Sequence, residues 1–408
     1  MLLNTILLAL ALLSLALTLW QWFAAWRFPL HQRVADRSWT PALTLLKPLK
    51  GRDAETEACL RSWLAQEYRG DVQILFGVAS AQDPVCDVVR RLLQASPARD
   101  AQLVVCGPLQ GANLKVSKLM QLESMAKHEV LVISDADVRV PPDFLVHLVA
   151  PLKAPAVGLV NCFYRLANPA TFAMRWEAVA VNADFWSQVL QAQMLKPLDF
   201  ALGAVMATRR AQLAEVGGFA ALADCLADDY QLGHRIAQRG HSISLCPVVV
   251  ECWSEPMGWR AVWKHQLRWA RTIRVCQPVP YFFSILSNAT LWPGLWLLAN
   301  RSLGGLLLAV ACWLVRIWTA LHLQQRLSLS GPSGPTGVAA SCNEQPSPQA
   351  LGSSRSAPQA LGCVPEAVLV LLKDMLQATV WLLAFLGNRI EWRGEKMHLR
   401  RDGTLVRQ

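Results

Sequence analysis

The feature that most limits how this chain can fold is a predominantly apolar run without a charged residue at its N-terminus, residues 2–26. About 20 consecutive apolar residues are enough for a helix to cross a bilayer. The run lacks the basic start of a signal peptide, and no small-residue cleavage site follows it. We therefore predict a retained transmembrane anchor over residues 1–27.

Basic residues predict the orientation of this anchor. Arg27, Arg33 and Arg37 follow the run, and no basic residue precedes it. Positive charges flanking a span stay on the cytoplasmic side, so we predict a multi-pass membrane protein whose main domain is cytoplasmic. The formal net charge of +10 suits phosphate groups or an anionic membrane surface. Nucleic acid is a poor partner for it, because the basic residues cluster at membrane-proximal positions.

Apolar segments return after residue 280. Residues 303–323 and 367–386 are long enough to span a bilayer, whereas Asn288, Pro293 and Gly294 interrupt a weaker segment, 281–298. We predict membrane segments over 281–323, the weaker one re-entrant or interfacial, and a transmembrane helix over 364–387. The basic tail 388–408 then lies on the same side as the main domain. Between them, residues 328–363 are rich in Ser, Pro and Gly and repeat the string PQALG, which predicts a disordered linker.

Residues 40–276 have the pattern of an α/β domain. Short apolar runs at 42–46, 72–78, 103–106 and 130–134 predict buried strands, and helical periodicity at 55–66, 85–94 and 115–126 predicts helices between them. Such alternation predicts a mostly parallel sheet, with ligands bound beyond the carboxyl ends of the strands. The eleven cysteines have no zinc-ligand spacing and are interpreted as reduced, buried thiols.

Two carboxylates, Asp135 and Asp137, directly follow the fourth predicted strand. Carboxylate oxygens suit Mg²⁺ or Mn²⁺, and such a cation can bind a diphosphate. A metal-bound diphosphate is a better leaving group, because its developing charge is neutralised. For this motif alone, an Asp-rich turn capped by its own side chains is at least as good an interpretation.

A second acidic pair, Asp228 and Asp229, opens a helical pattern that runs to Arg239. Acids in the first turn stabilise a helix through its dipole, and that interpretation needs no chemistry. The functional interpretation is a general base that removes the proton of an attacking hydroxyl.

A basic stripe lies on a third helical pattern, residues 259–274. It suits a diphosphate or anionic headgroups, and for its outer members an ordinary solvated face is as good an interpretation. The stripe consists of Arg260, Lys264, Arg268, Arg271 and Arg274. Within it, the segment HQLRW, from His265 to Trp269, is the part that we assign to a site.

Two loops offer further contacts to a phosphate-bearing ligand. Asn113 and Lys115 stand in a glycine-containing loop before a predicted helix, and Lys50 stands in the segment 47–51 after the first strand. Either loop could bind phosphate or the uracil-ribose end of a donor, and either could be a plain helix or loop start.

Read in order, these motifs resemble the ceramide glucosyltransferase family. The resemblance runs from the anchor to the tail and is carried by residues 47–51, 83–84, 113–115, 134–142, 228–230, 268–269 and 392–403. It implies a GT-A, Rossmann-like nucleotide-sugar domain between N- and C-terminal transmembrane helices. It also implies inverting transfer of a hexose from a UDP-sugar to a membrane lipid, with a divalent cation as cofactor.

The resemblance assigns roles by position. Asp135 and Asp137 match the metal and diphosphate motif, and Asp229 matches the catalytic base. The residues expected to act in catalysis are Asp229, Asp228, Arg268 and Trp269. The residues expected to contact the donor are Lys50, Asp83, Asn113, Lys115, Asp135 and His265.

Two departures from the family pattern are visible. Ser80 stands where the family's first acidic motif begins with Asp, although Asp83 remains, and His265 stands where Gln or Arg opens the last motif. The sugar could be glucose or N-acetylglucosamine, and a hopanoid-associated branch, with a bacteriohopane polyol acceptor, fits as well as ceramide. A processive polysaccharide synthase is a rival, although it would need more spans, and an inactive scaffold is a second rival that Ser80 favours.

Overall fold

The computed structural model describes residues 2–328, 365–392 and 395–407. The predicted linker 328–363 lies outside the described residues, except for Ser328 at the end of a helix. The centre of the fold is an eight-stranded sheet. Its strands are β1 (Leu43–Pro48), β2 (Val72–Val78), β3 (Asp100–Val105), β4 (Val130–Ser134), β5 (Val138–Arg139), β6 (Val157–Leu166), β7 (Val205–Arg209) and β8 (Ser242–Cys252). Each of the four predicted strands is present, shifted by at most a few residues.

The sheet has the strand order β3-β2-β1-β4-β7-β6-β8-β5. β1 pairs in parallel with β2 and β4, and β2 pairs in parallel with β3, as the alternating pattern predicted. β7 runs antiparallel to both of its neighbours, β4 and β6. β6 and β8 pair in parallel with each other, and β5 runs antiparallel to β8. The sheet is therefore mixed beyond β4, and the mostly parallel prediction holds throughout only the half that carries β1 to β4.

Helices cover both faces of this sheet. They are α2 (Thr56–Leu64), α3 (Val85–Ala95), α4 (Leu114–Met125), α5 (Phe144–Val149), α6 (Phe172–Val179), α7 (Trp186–Leu195), α8 (Arg210–Glu215), α9 (Asp228–Gln238) and α10 (Trp259–Cys276), with α1 (Leu2–Arg27) before them. Leu46 and Leu75 join one apolar core, and Leu45 and Ile74 join another. Adjacent strand residues point to opposite faces, so one sheet supports two cores.

A π-helical turn, Ala180–Phe185, lies between α6 and α7, and short 3₁₀ turns occur at Ala150–Lys153, Phe219–Leu222 and Ser284–Ser287. Turns of the π type are rare in proteins, and those that occur often lie at functional sites. This one contacts both β6 of the sheet domain and the C-terminal helix over residues 303–328.

Among the residues that the structure describes, three helices are long and apolar enough to cross a membrane: α1, α13 (Leu303–Ser328) and α14 (Glu366–Ala384). The weaker predicted segment forms α11 (Pro278–Phe283), the 3₁₀ turn after it and α12 (Leu291–Ala299). The two parts of this segment meet at an angle of 54°. This bend fits either a broken span or the predicted re-entrant segment.

The apolar helices pack on the sheet domain and on one another. α1 lies against α7, α12 and α13, and α14 lies against α6, α10 and α13. Gln21 of α1 donates a hydrogen bond to Gln191 of α7, 3.1 Å from nitrogen to oxygen. The indole nitrogen of Trp22 lies 3.0 Å from Nδ1 of His322 on α13. The apolar helices therefore pack directly against the helices of the sheet domain.

The basic tail folds back onto the domain as an antiparallel sheet of β9 (Arg389–Trp392), β10 (Glu395–Leu399) and β11 (Leu405–Arg407). The amide of Leu405 donates to the carbonyl of Asp224 at 2.7 Å, and the amide of Leu226 donates to the carbonyl of Gly403 at 3.2 Å. Met397 and Leu399 are buried in the same small core as Leu226. The tail thus borders the loop that leads into α9.

Candidate active site

A cavity of about 1590 Å³ opens at the carboxyl ends of the central strands and continues toward the apolar helices. Most of the predicted site residues line it. They are Lys50, Lys115, Asp135, Asp137, Asp228, Asp229, His265, Arg268 and Trp269. Residues that are up to about 220 positions apart in the chain therefore share one space.

Lys115 joins the two acidic motifs. Its Nζ lies 2.8 Å from Oδ1 of Asp135 and 3.0 Å from Oδ2 of Asp228, and the residue is only 8% exposed. Burial alone would lower the pKa of Lys115, but the charges of Asp135, Asp228 and Asp229 outweigh burial and raise it. The ammonium group thus stays charged and offsets the repulsion between the acids.

The Asp135–Asp137 turn is supported from below by a buried lysine. Lys47 of β1 donates through Nζ to the carbonyl of Asp135 at 2.5 Å and to the hydroxyl of Ser134 at 3.2 Å. Burial lowers the pKa of Lys47 to about 8. Burial, with the nearby charge of Asp135, also raises the pKa of the Asp137 carboxyl to about 6.

The two carboxylates of this turn fit a divalent cation. Within residues 2–328, 365–392 and 395–407, no group of three or more His, Cys, Asp or Glu residues could bind a metal. Mg²⁺, however, is commonly bound by one or two carboxylates together with substrate phosphates. Burial, and after it the repulsion from Asp135, raises the pKa of Asp137. A cation would offset that repulsion, so Asp135 and Asp137 suit a metal that arrives with a phosphorylated ligand.

Asp229 stands in the first turn of α9 and faces the cavity. Burial, followed by the charge of Asp228, raises the pKa of the Asp229 carboxyl to about 6. A Cβ atom at Gly203 would lie 2.6 Å from Oδ2 of Asp229, so any other residue at this position would displace the carboxylate. A carboxylate that ionises near neutral pH is suited to accept a proton.

Asp83 and Asn113 stand behind the cavity wall. Both carboxylate oxygens of Asp83 accept from the amide of Gly51, at 3.0 and 3.1 Å, and so hold the loop that carries Lys50. The side chain of Asn113 caps α4 by accepting from the amides of Lys115 and Val116. Their assignment as donor contacts stays a prediction, and in this structure they brace the residues that line the cavity.

The HQLRW segment lies on α10 and is anchored by a buried acid that the sequence analysis missed. Glu177 of α6 is 1% exposed, and its Oε1 lies 2.7 Å from Nδ1 of His265 and 2.9 Å from Nε2 of Gln266. The His265 ring packs on Trp269 with 4.4 Å between ring centroids. A carboxylate within the stretch 172–179, where Arg175 is the one other charged residue, was the signal that could have revealed Glu177.

Ser80, where the sequence departs from the family's first acidic motif, is not among the residues that line the cavity. Its hydroxyl hydrogen-bonds the side chain of Gln82 at 2.6 Å and accepts from the Gln82 amide at 3.1 Å. Ser80 therefore stabilises a turn after β2 in this structure.

A mixed α/β sheet with acidic motifs at the carboxyl ends of its strands defines the GT-A class of glycosyltransferase folds. A solved structure supports this class: a mannosyltransferase from Pyrobaculum calidifontis, in complex with GDP-Man and Mn²⁺, superposes with a TM-score of 0.52. It is 22% identical and covers 79% of this chain and 96% of its own. At this identity the likeness establishes the fold alone, and it confirms the GT-A prediction.

The chain belongs to glycosyl transferase family 21, whose family model matches residues 6–405. Among curated relatives, ceramide glucosyltransferase 3 of Caenorhabditis elegans is 23% identical over 222 residues, which are 54% of this chain and 48% of the nematode protein. A ceramide glucosyltransferase of Candida albicans is 31% identical over 122 residues, which are 27% of this chain and 22% of the yeast protein. The matches therefore span about half or less of these relatives. The resemblance to the ceramide glucosyltransferase family is confirmed.

Proposed function

We propose that this chain transfers a hexose from a UDP-sugar to the hydroxyl of a membrane lipid in one inverting displacement. The observation that carries the proposal is a single cavity in which Lys115 joins Asp135 to Asp228 and which continues between the apolar helices. A polar donor and an apolar acceptor can meet in such a space. The family and its ceramide glucosyltransferase relatives support the same reaction.

In this reaction Asp229 accepts the proton of the lipid hydroxyl while the hydroxyl oxygen attacks the anomeric carbon. The bond from that carbon to the donor diphosphate breaks, and UDP leaves from the opposite face of the sugar. Arg268 lines the cavity and contributes positive charge toward the departing diphosphate. Asp135 and Asp137 would hold a divalent cation, which neutralises charge on the leaving group.

The chain's own residues set the positions of these groups. Lys115 fixes the Asp135 and Asp228 carboxylates, and Glu177 fixes the ring of His265 beside Trp269. In the described residues, the spanning helices number three, or four if the bent pair is one span. That is few for a channel that would translocate a growing polysaccharide, so single transfer is favoured over processive synthesis.

The domain is proposed to be cytoplasmic, because the basic residues Arg27, Arg33 and Arg37 follow the apolar run of α1. UDP-glucose and UDP-N-acetylglucosamine are the proposed donors, and ceramide or a hopanoid polyol is the proposed acceptor.

The test is an assay of the full chain in membranes with each labelled UDP-sugar, followed by lipid extraction and mass spectrometry. We expect a labelled neutral glycolipid from one of the donors, with inverted anomeric configuration. Asp229→Asn should abolish transfer while donor binding is retained, and the exposed-site variant Asp87→Asn serves as the matched control. Wild-type-like turnover in Asp229→Asn would exclude this residue as the base, and absence of any labelled lipid from the wild type would contradict the proposed function.

A further inference from the structure

The cavity has a second arm, which leads away from the acidic motifs. We call it the membrane arm and define it by the lining residues of α1, α7, α13 and α14. They are Leu13, Leu17, Thr18, Trp20, Gln21, Gln188, Val189, Gln191, Ala192, Leu195, Arg316, Lys373, Gln377, Ala378 and Trp381. Three of these helices are long and apolar enough to span a bilayer. Polar side chains at such depth are costly, and those that are present commonly serve a function.

The floor of the membrane arm is a buried ionic cluster. Arg316 of α13 donates to both oxygens of Asp184, at 2.9 and 3.0 Å, and to both oxygens of Asp374, each at 2.8 Å. Lys373 pairs with the same two carboxylates. Thr290 also donates to Asp374.

Two cations and two carboxylates leave this cluster with no net charge. Asp184 enters the cluster from the π-helical turn Ala180–Phe185, so the irregular turn is what brings a carboxylate of the sheet domain to the spanning helices. Since its charges already satisfy one another, the floor offers no surplus positive charge to a phosphate. A ligand in this arm is therefore selected for a neutral polar group.

Two side-chain amides that line the membrane arm have unused hydrogen-bonding capacity. Nε2 of Gln191 and Oε1 of Gln377 are buried and have no hydrogen-bond partner, although both residues line the arm. Gln191 already accepts from Gln21 through its oxygen, which leaves its nitrogen as the free donor. Buried polar groups of this kind are normally paired, so each one needs an explanation.

We infer that the membrane arm binds the polar region of the acceptor lipid, with Gln191 donating to and Gln377 accepting from its neutral hydroxyl or amide groups. One side chain supplies a donor and the other an acceptor, which matches a hydroxyl or an amide and does not match a phosphate. The apolar residues of α1 and α7 contact the lipid chains. This inference rests on the proposed function for the identity of the ligand as an acceptor, whereas the binding itself can be measured without turnover.

The experiment measures binding of a fluorescent ceramide to the full chain in nanodiscs, with UDP-sugar binding as the second readout. The variants are Gln191→Met and Gln377→Met, which keep side-chain length and remove the hydrogen bonds. The matched control is Gln193→Met, on α7 but exposed and outside the arm. For α14, the control is Thr379→Val, also exposed and outside the arm.

We expect each Gln variant to weaken ceramide binding about three- to tenfold, as the loss of one hydrogen bond does, while both controls bind as the wild type does. UDP-sugar binding should change less than about twofold in all four, which also reports that they are folded. In a transfer assay the acceptor KM should rise by the same factor with kcat little changed. Phosphatidylglycerol should compete poorly with ceramide.

Unchanged ceramide binding in both Gln variants would overturn the inference, as would competition by phosphatidylglycerol equal to that of unlabelled ceramide. If Gln191→Met also loses UDP-sugar binding, the comparison passes to Gln377→Met and to Gln191→Asn, which keeps the amide on a shorter chain. Ceramide binding that depends on the two Gln residues, without any sugar transfer by the wild type, would support this inference and contradict the proposed function, so the two can fail separately.

Discussion

At the scale of single residues, the site depends on how buried charges are balanced. Lys115 holds Asp135 and Asp228 within hydrogen-bonding distance, and Glu177 does the same for His265 and Gln266. Removing one partner of a buried ionic group leaves the others uncompensated, which costs more than the pair itself contributes.

Lys115→Met should therefore lower the free energy of unfolding by about 3 kcal/mol, because it leaves the acids beside it without a counter-charge. The matched control is Lys127→Met, whose ion pair with Asp100 is exposed and should contribute less than about 1 kcal/mol. Thermal or denaturant unfolding of the two variants in the same detergent provides the comparison. Equal stability of the two would show that Lys115 does not hold the acids together.

Gly203→Ala tests the position of the proposed base. The new Cβ would lie 2.6 Å from Oδ2 of Asp229, so the carboxylate must rotate away, and we expect kcat to fall about 100-fold. Gly258→Ala is the control, since a Cβ there meets no atom within 4 Å. Steady-state kinetics, with donor binding measured in parallel, would compare the two variants. An unaffected kcat in Gly203→Ala would remove Asp229 from the mechanism.

The pH profile of transfer follows from the Asp229 carboxyl, whose pKa burial raises to about 6. A base must be ionised to accept a proton, so kcat at saturating donor should be constant above about pH 7 and fall about tenfold per pH unit below 6. The measurement is kcat from pH 5 to 8, with a stability check at each end. A flat profile down to pH 5 would contradict this role.

At the scale of elements, the most consequential arrangement is the C-terminal sheet against the loop 224–227. β11 and the turn before it exchange backbone hydrogen bonds with Asp224 and Leu226, immediately before α9 and its two acids. The sequence predicted only a basic tail here, because short strands with exposed basic residues give little periodic signal. These strands form a sheet because they dock on the loop 224–227, which is distant from them in sequence.

Met397→Asp should detach this sheet and lower kcat at least about tenfold, because a charge cannot remain unpaired in the core shared with Leu226. Donor affinity should change less, since Asp135 and Asp137 follow β4 and do not depend on the tail. His398→Asp, one position along β10 on the exposed face, is the control. Kinetics and donor binding of both variants test whether the C-terminal sheet supports the loop before α9. Equal kcat values for the two variants would exclude that role.

At the scale of the whole molecule, the cavity is closed partly by α1 and partly by the sheet domain. Leu13, Leu17, Thr18 and Gln21 of α1 line the membrane arm, while α13 and α14 are themselves long enough to span. α1 is therefore more than an anchor: it forms a wall of the proposed acceptor site.

Deleting residues 1–27 should leave the chain in membranes through α13 and α14, with donor binding retained and lipid transfer lost, because the membrane arm loses one side. Replacing residues 2–26 by an unrelated spanning helix is the matched control and should restore membrane insertion without restoring transfer. Fractionation, UDP-sugar binding and the lipid assay measure the three properties. Full transfer by either variant would show that α1 serves only to anchor the chain.

Part of this architecture follows from the sequence because its signals are local. The apolar runs specify α1, α13 and α14, since burial in a bilayer requires length and composition alone. β2 and β4 lie at the residues predicted from buried apolar runs, and the acidic motifs stand at strand and helix ends as predicted. The site residues named in advance mostly meet in one cavity, because the carboxyl ends of parallel strands converge.

What only the tertiary structure decided is which charges face one another. Several arrangements depend on contacts between residues that are far apart in the chain. They are the antiparallel pairing of β7, the docking of the C-terminal sheet, the pairing of Lys115 with two acidic motifs, and the cluster of Asp184, Arg316, Lys373 and Asp374. The type and spacing of a residue in the sequence do not predict which distant residue will pair with it. Electrostatic and hydrogen-bonding partners are set by distance in the folded chain, and in a low-dielectric interior those distances determine whether a buried charge is a cost or a functional group.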